Sequence, residues 1–280
     1  MDTKESTAAE GNAPFLRFLN EDRCKKVHEA TLELLERTGV WIGDPECLEM
    51  LSGAGARVVE KVAQKDSEYN TRVQIPAHMV EDAIHSAPES VTVYNRQGEA
   101  AMVLAERNYY FGCHGDNPDF IDPYTQQRIK MGYTEIEMMT KLIDYLPNVN
   151  WVLSGANCYG RALEFQDRFC AEAILKNTSK PVIFCPERVE SVTDIVDMAA
   201  AIAGGHDAVF AKPYVVCLDE PISSLLHGPE SIGRIFLCAD MGLPIIVIAV
   251  LGIGRCQPGP RCRFFIPGSL YYTGISPSQR

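Results

Sequence analysis

The sequence predicts a parallel α/β fold, and three observations indicate it. From about residue 109 onward, short apolar segments alternate with segments of helical period. Three of the apolar segments follow prolines at positions 181, 213 and 244, which are 32 and 31 residues apart. Proline at the first position of a strand removes no ladder hydrogen bond, and a strand plus a helix of this combined length is the βα unit of a parallel sheet. The 280 residues, 46% of them hydrophobic, suffice to bury one large core.

Residues 15–108 are predicted to form a mixed, mainly helical extension ahead of this sheet, after a disordered tail at residues 1–14. A first helix is expected over residues 20–37, because Asn20 is a good N-cap and Gly39 a good stop signal. The remaining predicted elements are a short helix from Asp44-Pro45 to Gly53, a strand at 72–75, a helix opened by Pro76, and β structure at 90–111 with a turn at 96–98.

Five strands and four helices are predicted in the segment 109–250. Thr134 and Glu137 are expected to form a capping box at the start of the first of these helices. The strands are placed at 109–111, 151–154, 182–185, 214–218 and 245–250, and the helices at 134–145, 164–177, 191–203 and 229–241.

Two architectures accept this alternation: a (β/α) barrel, which needs eight units, and an open doubly wound sheet, for which five strands suffice. The spacing by itself does not separate them. Gly252-Ile253-Gly254 follows a strand as in dinucleotide-binding folds, but Pro258 and Pro260 stand where the following helix would begin. The sequence therefore argues against nucleotide binding there.

Composition excludes several classes of protein. A formal net charge of −11 argues against a nucleic-acid-binding protein, which would carry a basic patch. The longest apolar run, residues 243–253, is too short to span a bilayer. Ten cysteines without a C-x-x-C pair or a secretion signal predict reduced, mostly buried thiols in a cytoplasmic protein.

Candidate site residues follow from the rule that parallel α/β folds bind ligands at the carboxyl ends of their strands. Glu220 is the first candidate, because it ends an apolar strand ahead of Pro221 and is expected to place a buried carboxylate at the mouth of the fold. Asn157 is a second candidate of the same kind. Four aromatic side chains could offer their faces to a cation or simply pack in the core: Tyr109, Tyr110, Trp151 and Tyr159.

The loop predicted to follow the first strand runs from Gly112 to Pro118. Its glycines would let the backbone approach a ligand closely. Asp116 and Asn117 either bind a ligand or shape a turn, and the sequence leaves both open. A metal site at Cys113, His114 and Asp116 is disfavoured, because no further ligand follows at suitable spacing and adjacent Cys and His rarely bind one tetrahedral ion.

Seven segments in the same order resemble the trimethylamine methyltransferase family, over residues 15–247. They are Phe18-Leu19-Asn20 with Thr38-Gly39-Val40, Arg72-Val73-Gln74-Ile75-Pro76, Val93-Tyr94-Asn95-Arg96, Tyr110-Phe111-Gly112, Leu146-Pro147-Asn148-Val149, Asn177-Thr178-Ser179-Lys180-Pro181, and Glu220-Pro221-Ile222-Ser223-Ser224-Leu225.

The resemblance implies a (β/α)8 TIM-type barrel with a helical N-terminal extension, of which this chain carries the first five βα units. It implies transfer of a methyl group from trimethylamine, glycine betaine or a similar amine to the cobalt of a separate corrinoid protein, with no cofactor bound tightly by this chain. The residues nominated for the amine are Asp116, Asn117, Asn157 and Glu220, and those nominated for the corrinoid (cobalamin) are Gly112, His114 and Gly115.

The composition of residues 251–280 departs from the family pattern. This segment contains four Arg, four Pro and five Gly, but none of the 37 acidic residues. We therefore expect a tail foreign to the family, with three βα units lacking. An unclosed barrel would expose strand edges and favour association into homo-oligomers. Two hypotheses follow: a functional methyltransferase chain, or a non-catalytic fragment that acts as a binding module. An unrelated flavodoxin-like binding domain is a third.

Overall fold

The computed structural model describes residues 18–61, 71–105, 108–221, 225–248 and 271–272. The expected tail at residues 1–14 and all of 251–280 except Tyr271 and Tyr272 lie outside the described residues. In the part that is described, no helix combines the length and the apolar character needed to cross a bilayer.

In the N-terminal part, the described residues form three helices and five strands. These are α1 (Glu21–Arg37), β1 (Val40–Ile42), α2 (Pro45–Gly53), β2 (Arg57–Lys61), β3 (Thr71–Gln74), α3 (Ala77–Ser86), β4 (Val91–Tyr94) and β5 (Ala100–Leu104).

Local sequence signals explain where its helices begin. The Asn20 side chain accepts a hydrogen bond from the Arg23 N–H at 3.0 Å, and the Asp44 side chain accepts one from the Cys47 N–H at 2.8 Å. Each cap satisfies a helix N–H that has no partner within the helix. Both predicted helix starts are confirmed.

The second part begins with a parallel strand and continues to the last described residues. Its elements are β6 (Gly112–His114), β7 (Asp119–Ile121), β8 (Arg128–Lys130), α4 (Tyr133–Tyr145), β9 (Trp151–Ser154), a 3-10 turn at Leu163–Phe165, α5 (Gln166–Asn177), β10 (Val182–Phe184), α6 (Val189–Ala203), α7 (His206–Ala211), β11 (Val215–Asp219), β12 (Leu226–His227), α8 (Pro229–Met241), β13 (Ile245–Val247) and β14 (Tyr271–Tyr272).

Five parallel strands form the central sheet in the order β6-β9-β10-β11-β13, and β14 pairs antiparallel with β13. Val182 pairs with Val215, and Cys217 pairs with Ile245, so the three segments that follow prolines are neighbouring strands. The predicted βα repeat is confirmed. The order of the parallel strands follows the chain without the reversal that a doubly wound sheet requires.

Side chains of the strands alternate between two different environments. Val215 and Cys217 of β11 pack into a core formed with the helices, whereas Val216 and Leu218 belong to a separate cluster with the β4–β5 hairpin. Helices therefore cover one face of the sheet, and the hairpin covers part of the other. We call these the helix face and the hairpin face.

Two of the predicted boundaries in this part are wrong. The first parallel strand is Gly112–His114 and not 109–111, because Gly112, Cys113 and His114 are the residues that pair with β9. The first helix is capped at Gly132, whose N–H donates to the Glu135 carboxylate at 3.0 Å, so Thr134 and Glu137 do not form its capping box. The hairpin β7–β8 and helix α7 were not predicted.

A second sheet joins the two parts of the chain. Its order is β12-β1-β3-β2, and β12 pairs parallel with β1 through Trp41↔Leu226 and Ile42↔His227. The segment between β11 and α8 is therefore anchored to the N-terminal strands.

Candidate functional site

A cavity of about 560 Å³ lies on the hairpin face, and its lining includes His114 at the carboxyl end of β6 as well as Glu220 and Ile248 just past β11 and β13. Its floor consists of apolar side chains from the hairpin and the central sheet. The residues that line it are Val93, Met102, Leu104, Asn108, Tyr109, Tyr110, His114, Trp151, Leu153, Ile183, Val216, Leu218, Glu220, Ile246 and Ile248. His114 and Glu220 are its two ionisable side chains apart from the tyrosines. His114 is the last residue of β6, and Glu220 directly follows β11.

Three of the four predicted aromatic candidates line this cavity. Tyr109, Tyr110 and Trp151 contribute to its wall, whereas Tyr159 is exposed elsewhere. The Trp151 indole N–H donates to the Tyr110 carbonyl at 3.4 Å, and the Tyr110 hydroxyl accepts a hydrogen bond from the Val103 N–H at 2.9 Å. These contacts fix the aromatic wall to the β4–β5 hairpin.

Glu220 lies at the cavity but is exposed, so the prediction of a buried carboxylate at this position is wrong. The buried carboxylate is that of the preceding residue, Asp219, which is 0% exposed. Strand alternation explains the difference: Asp219 follows Val215 and Cys217 onto the helix face, and Glu220 follows Val216 and Leu218 toward the cavity. Counting this alternation in the sequence would have assigned the two carboxylates correctly.

Asp219 is the centre of a polar network at the carboxyl ends of β10 and β11. It accepts hydrogen bonds from the Ser231 hydroxyl and from the Arg234 Nε, the latter at 2.8 Å. Arg234 also donates through Nη1 to the Glu187 carbonyl at 3.2 Å. Because α8 supplies both Ser231 and Arg234, the network joins the loop after β10 and the end of β11 to α8. Sequence reasoning missed this network.

Asp116 and Asn157 lie together at the ends of β6 and β9. Asp116 is 1% exposed and accepts hydrogen bonds from the backbone N–H groups of Gly155 at 2.7 Å and Asn157 at 3.0 Å. The Asn157 side chain is 3.4 Å from the same carboxylate, through Nδ2. The carboxylate therefore orders the loop after β9, and neither residue lines the cavity.

The other nominated residues of this loop are held by packing. The Asn117 N–H is directed at the Met131 sulfur at 3.1 Å. A Cβ added to Gly115 would lie 2.7 Å from Ile174 Cδ1, and one added to Gly112 would overlap the Trp151 ring. Gly115 is therefore buried under side chains of this chain, and Gly112 is exposed but has its Cβ position occupied by the Trp151 ring. Of the three residues nominated for the corrinoid, His114 lines the cavity.

Cys113 and His114 face opposite sides of the sheet. Cys113 packs against the helix-face core, and His114 lines the cavity on the hairpin face. Within the described ranges, no group of three or more His, Cys, Asp or Glu side chains could hold a metal ion.

Cys185, next to the site, carries a thiol rather than a thiolate. Burial, followed by the negative charge of Glu220, raises the pKa of the Cys185 thiol to about 12. Of the eight cysteines in the described part of the chain, all are free, five are buried and only Cys24 is exposed. Cys256 and Cys262 lie outside the described residues.

A second, almost wholly apolar cavity of about 570 Å³ lies between the N-terminal sheet and α8. We call it the α8 groove. Its lining residues are Leu35, Val40, Ile42, Glu46, Cys47, Met50, Leu51, Ile75, His227, Ile232, Ile235, Phe236 and Ala239. Its lining contains no residue of the five parallel strands, at whose carboxyl ends ligands of parallel α/β folds bind.

Comparison with known proteins gives consistent relatives. The family model described as trimethylamine methyltransferase (MTTB) matches residues 2–259. Trimethylamine methyltransferase MttB of Desulfitobacterium hafniense is 30% identical over 239 residues, which cover 84% of this chain and 46% of that protein. Glycine betaine methyltransferase of another strain of that species is 27% identical over 252 residues, 88% of this chain and 49% of that protein.

A third relative is trimethylamine methyltransferase MttB1 of Methanosarcina mazei, 25% identical over 259 residues, 88% of this chain and 49% of that protein. The chain thus spans about half the length of the curated relatives it matches.

Proposed function

The chain belongs to the trimethylamine methyltransferase family, and we propose that its hairpin-face cavity binds the methylated ammonium group of a small amine that serves as methyl donor. One observation carries this proposal: Tyr110, Trp151 and Glu220 line the same, mostly apolar cavity. Aromatic faces and a carboxylate are the groups that recognise a methylated cation.

The cavity suits an amine that must be held without water. Its floor of Leu153, Ile183, Val216 and similar side chains offers no hydrogen bonds, so N-methyl groups are desolvated there at little cost. The carboxylate of Glu220 balances the charge of a quaternary ammonium or of a protonated tertiary amine. Holding the amine in one orientation aligns the methyl carbon for in-line attack.

We further propose that the methyl acceptor is a corrinoid carried by a separate protein. When present, such a group supplies a strongly nucleophilic cobalt. Among the residues nominated for it, His114 is the one placed to meet a group that approaches from the carboxyl ends of the strands. Gly112 in β6 and Gly115 in the following loop have a structural role, because they leave room for Trp151 and for Ile174 respectively.

The architecture we propose is a (β/α)8 barrel to which this chain contributes five βα units. The continuous strand order β6-β9-β10-β11-β13 and the location of the helices on one face both support it. In such a barrel the hairpin face is the interior, and Glu220 lies at the end of the barrel where catalytic residues are found.

A methyl-transfer assay tests the proposal. The purified chain is mixed with a reduced corrinoid protein and either trimethylamine or glycine betaine, and methylation of the cobalt is followed by its absorption spectrum. We expect transfer that depends on the chain and on one of the amines. Binding of the amine without transfer would favour the non-catalytic binding module, and absence of both would contradict the proposal.

A further inference from the structure

Trp151 occupies space that exists only because its neighbour on β6 is a glycine. Gly112 and Trp151 are paired in the parallel register of β6 and β9. Paired residues of neighbouring strands direct their side chains to the same face of the sheet. A Cβ built on Gly112 would fall well inside 3.0 Å of three carbons of the indole ring. The observed position of the indole therefore requires glycine at 112.

The indole is held at this position from a second side. Its N–H donates to the Tyr110 carbonyl at 3.4 Å, and the Tyr110 hydroxyl is bonded to the backbone of Val103. Trp151 is thus fixed between the β6 backbone and the hairpin. A displaced indole cannot move to the helix face, where Val152 and Cys113 already pack into the core. It would have to move toward the cavity.

We propose that Gly112 and Trp151 together set the width of the cavity and hence the largest ammonium group that it accepts. Because Gly112 has no Cβ, the indole packs directly against the β6 backbone. In this position the indole forms a fixed wall of the cavity, and its face contacts the cation. The inference rests on the proposed function, because it assigns a specificity-determining role within that same cavity.

Two substitutions change the width in opposite directions. Gly112→Ala pushes the indole into the cavity and narrows it, whereas Trp151→Leu removes the indole and widens it. The probes are tetramethylammonium and tetraethylammonium, which carry the same charge and differ in size. The measured quantity is the ratio of their dissociation constants, obtained by titration calorimetry.

For Gly112→Ala we expect the affinity for tetraethylammonium to fall at least about tenfold more than the affinity for tetramethylammonium. The larger cation carries additional methylene groups, and these no longer fit in the narrowed apolar cavity. For Trp151→Leu we expect the preference to shift toward tetraethylammonium. The double variant should match Trp151→Leu, because an alanine at 112 then has no indole to displace. Gly53→Ala, at a position in α2 where an added Cβ meets nothing within 4 Å, is the control and should leave the ratio unchanged.

A fluorescence measurement checks the movement of the indole directly. The chain has two tryptophans, Trp41 and Trp151, so Trp41→Phe leaves Trp151 as the single indole. In that background, tetramethylammonium should quench the emission, and Gly112→Ala should shift the emission maximum.

The outcomes separate this inference from the proposed function. If the wild-type chain binds neither probe at millimolar concentration, the proposed function fails and this inference fails with it. If the wild-type chain binds both probes but Gly112→Ala and Trp151→Leu leave their ratio unchanged, only this inference is overturned. A double variant that retains the selectivity of Gly112→Ala would also overturn it. Should Gly112→Ala not fold, the shift expected for Trp151→Leu still decides the question.

Discussion

Asp219 and Arg234 form a buried ion pair on the helix face, at the residue that precedes Glu220. Arg234 Nη2 lies 2.7 Å from Asp219 Oδ1, and the two side chains are 11% and 0% exposed. The pair also engages the Ser231 hydroxyl and the Glu187 carbonyl. It fixes the end of β11, and therefore the point at which Glu220 enters the cavity.

Replacing Asp219 with alanine should destabilise the chain strongly. The substitution leaves the buried guanidinium of Arg234 without its carboxylate, which costs about 3–5 kcal/mol in comparable pairs. Urea-induced unfolding measures the loss. Glu33→Ala is the control, since it removes an exposed ion pair to Arg37 on α1 and should cost no more than about 1 kcal/mol. Equal losses for the two variants would show that the Asp219 pair is not buried in solution.

Replacing Glu220 with glutamine should weaken binding of a methylated cation without affecting stability. Among the described residues the exposed carboxylate of Glu220 has no hydrogen-bond partner, so we expect the variant to lose its attraction for the ligand, roughly 1 kcal/mol or fivefold in Kd. Glu187→Gln is the matched control, because Glu187 is exposed on the neighbouring loop and does not line the cavity. Calorimetric titration with trimethylamine and glycine betaine gives both values. An unchanged Kd in Glu220→Gln would exclude this carboxylate from the binding site.

Replacing Gly115 with alanine should reduce stability in the absence of any ligand. The added Cβ would lie 2.7 Å from Ile174 Cδ1 and 3.0 Å from Val152 Cγ1, so the loop after β6 is overpacked against α5. Overpacking of this kind costs about 1–3 kcal/mol. Thermal unfolding measures it, with Gly53→Ala as the unhindered comparison. If Gly115→Ala is as stable as the wild type but fails to bind the corrinoid protein, Gly115 contacts that partner directly.

Stability should fall below about pH 6.5 because of His227. Burial, opposed by the charge of Asp219, lowers the pKa of the His227 imidazole from 6.5. The unfolded chain therefore binds a proton more readily than the native chain, and the contribution of His227 to stability is lost as the pH falls through 6.5 toward its native pKa.

His227→Leu removes this contribution and should flatten the pH profile by up to ~1.4 kcal/mol per pH unit. Urea unfolding from about pH 5 to about pH 8 measures the slope, and His85→Leu on the surface of α3 is the control. A slope in His227→Leu equal to that of the wild type would contradict the assignment.

The repetitive part of the fold could be predicted from the sequence. Prolines 181, 213 and 244 each precede a buried strand, and Pro229 marks the first residue of α8. These signals are local, and the structure confirms them. β6 was misplaced because Gly112, Cys113 and His114 have low strand propensity, while the preceding Tyr109–Tyr110–Phe111 run has high propensity. Its pairing depends on the Trp151 indole covering Gly112, a contact between residues far apart in the chain.

The candidate site was predicted in part. Glu220 and the aromatic residues Tyr110 and Trp151 were nominated one by one, and the structure brings them to one cavity. Asp219 was overlooked because its role depends on Arg234, fifteen residues later on α8. The loop position of Asp116 was correctly anticipated, but its partners are backbone N–H groups of Gly155 and Asn157, which no residue pattern reveals.

The most direct test of the cavity is an isotope-filtered NMR measurement of nuclear Overhauser effects from the N-methyl protons of a bound amine. Trimethylamine and glycine betaine are each added to the labelled chain. We predict contacts from the N-methyl protons to the indole of Trp151 and the ring of Tyr110, and weaker contacts in Glu220→Gln at the same subsaturating ligand concentration. Contacts confined to the α8 groove, for example to Phe236, or no contacts to the chain at saturating amine, would contradict the assignment of the binding site.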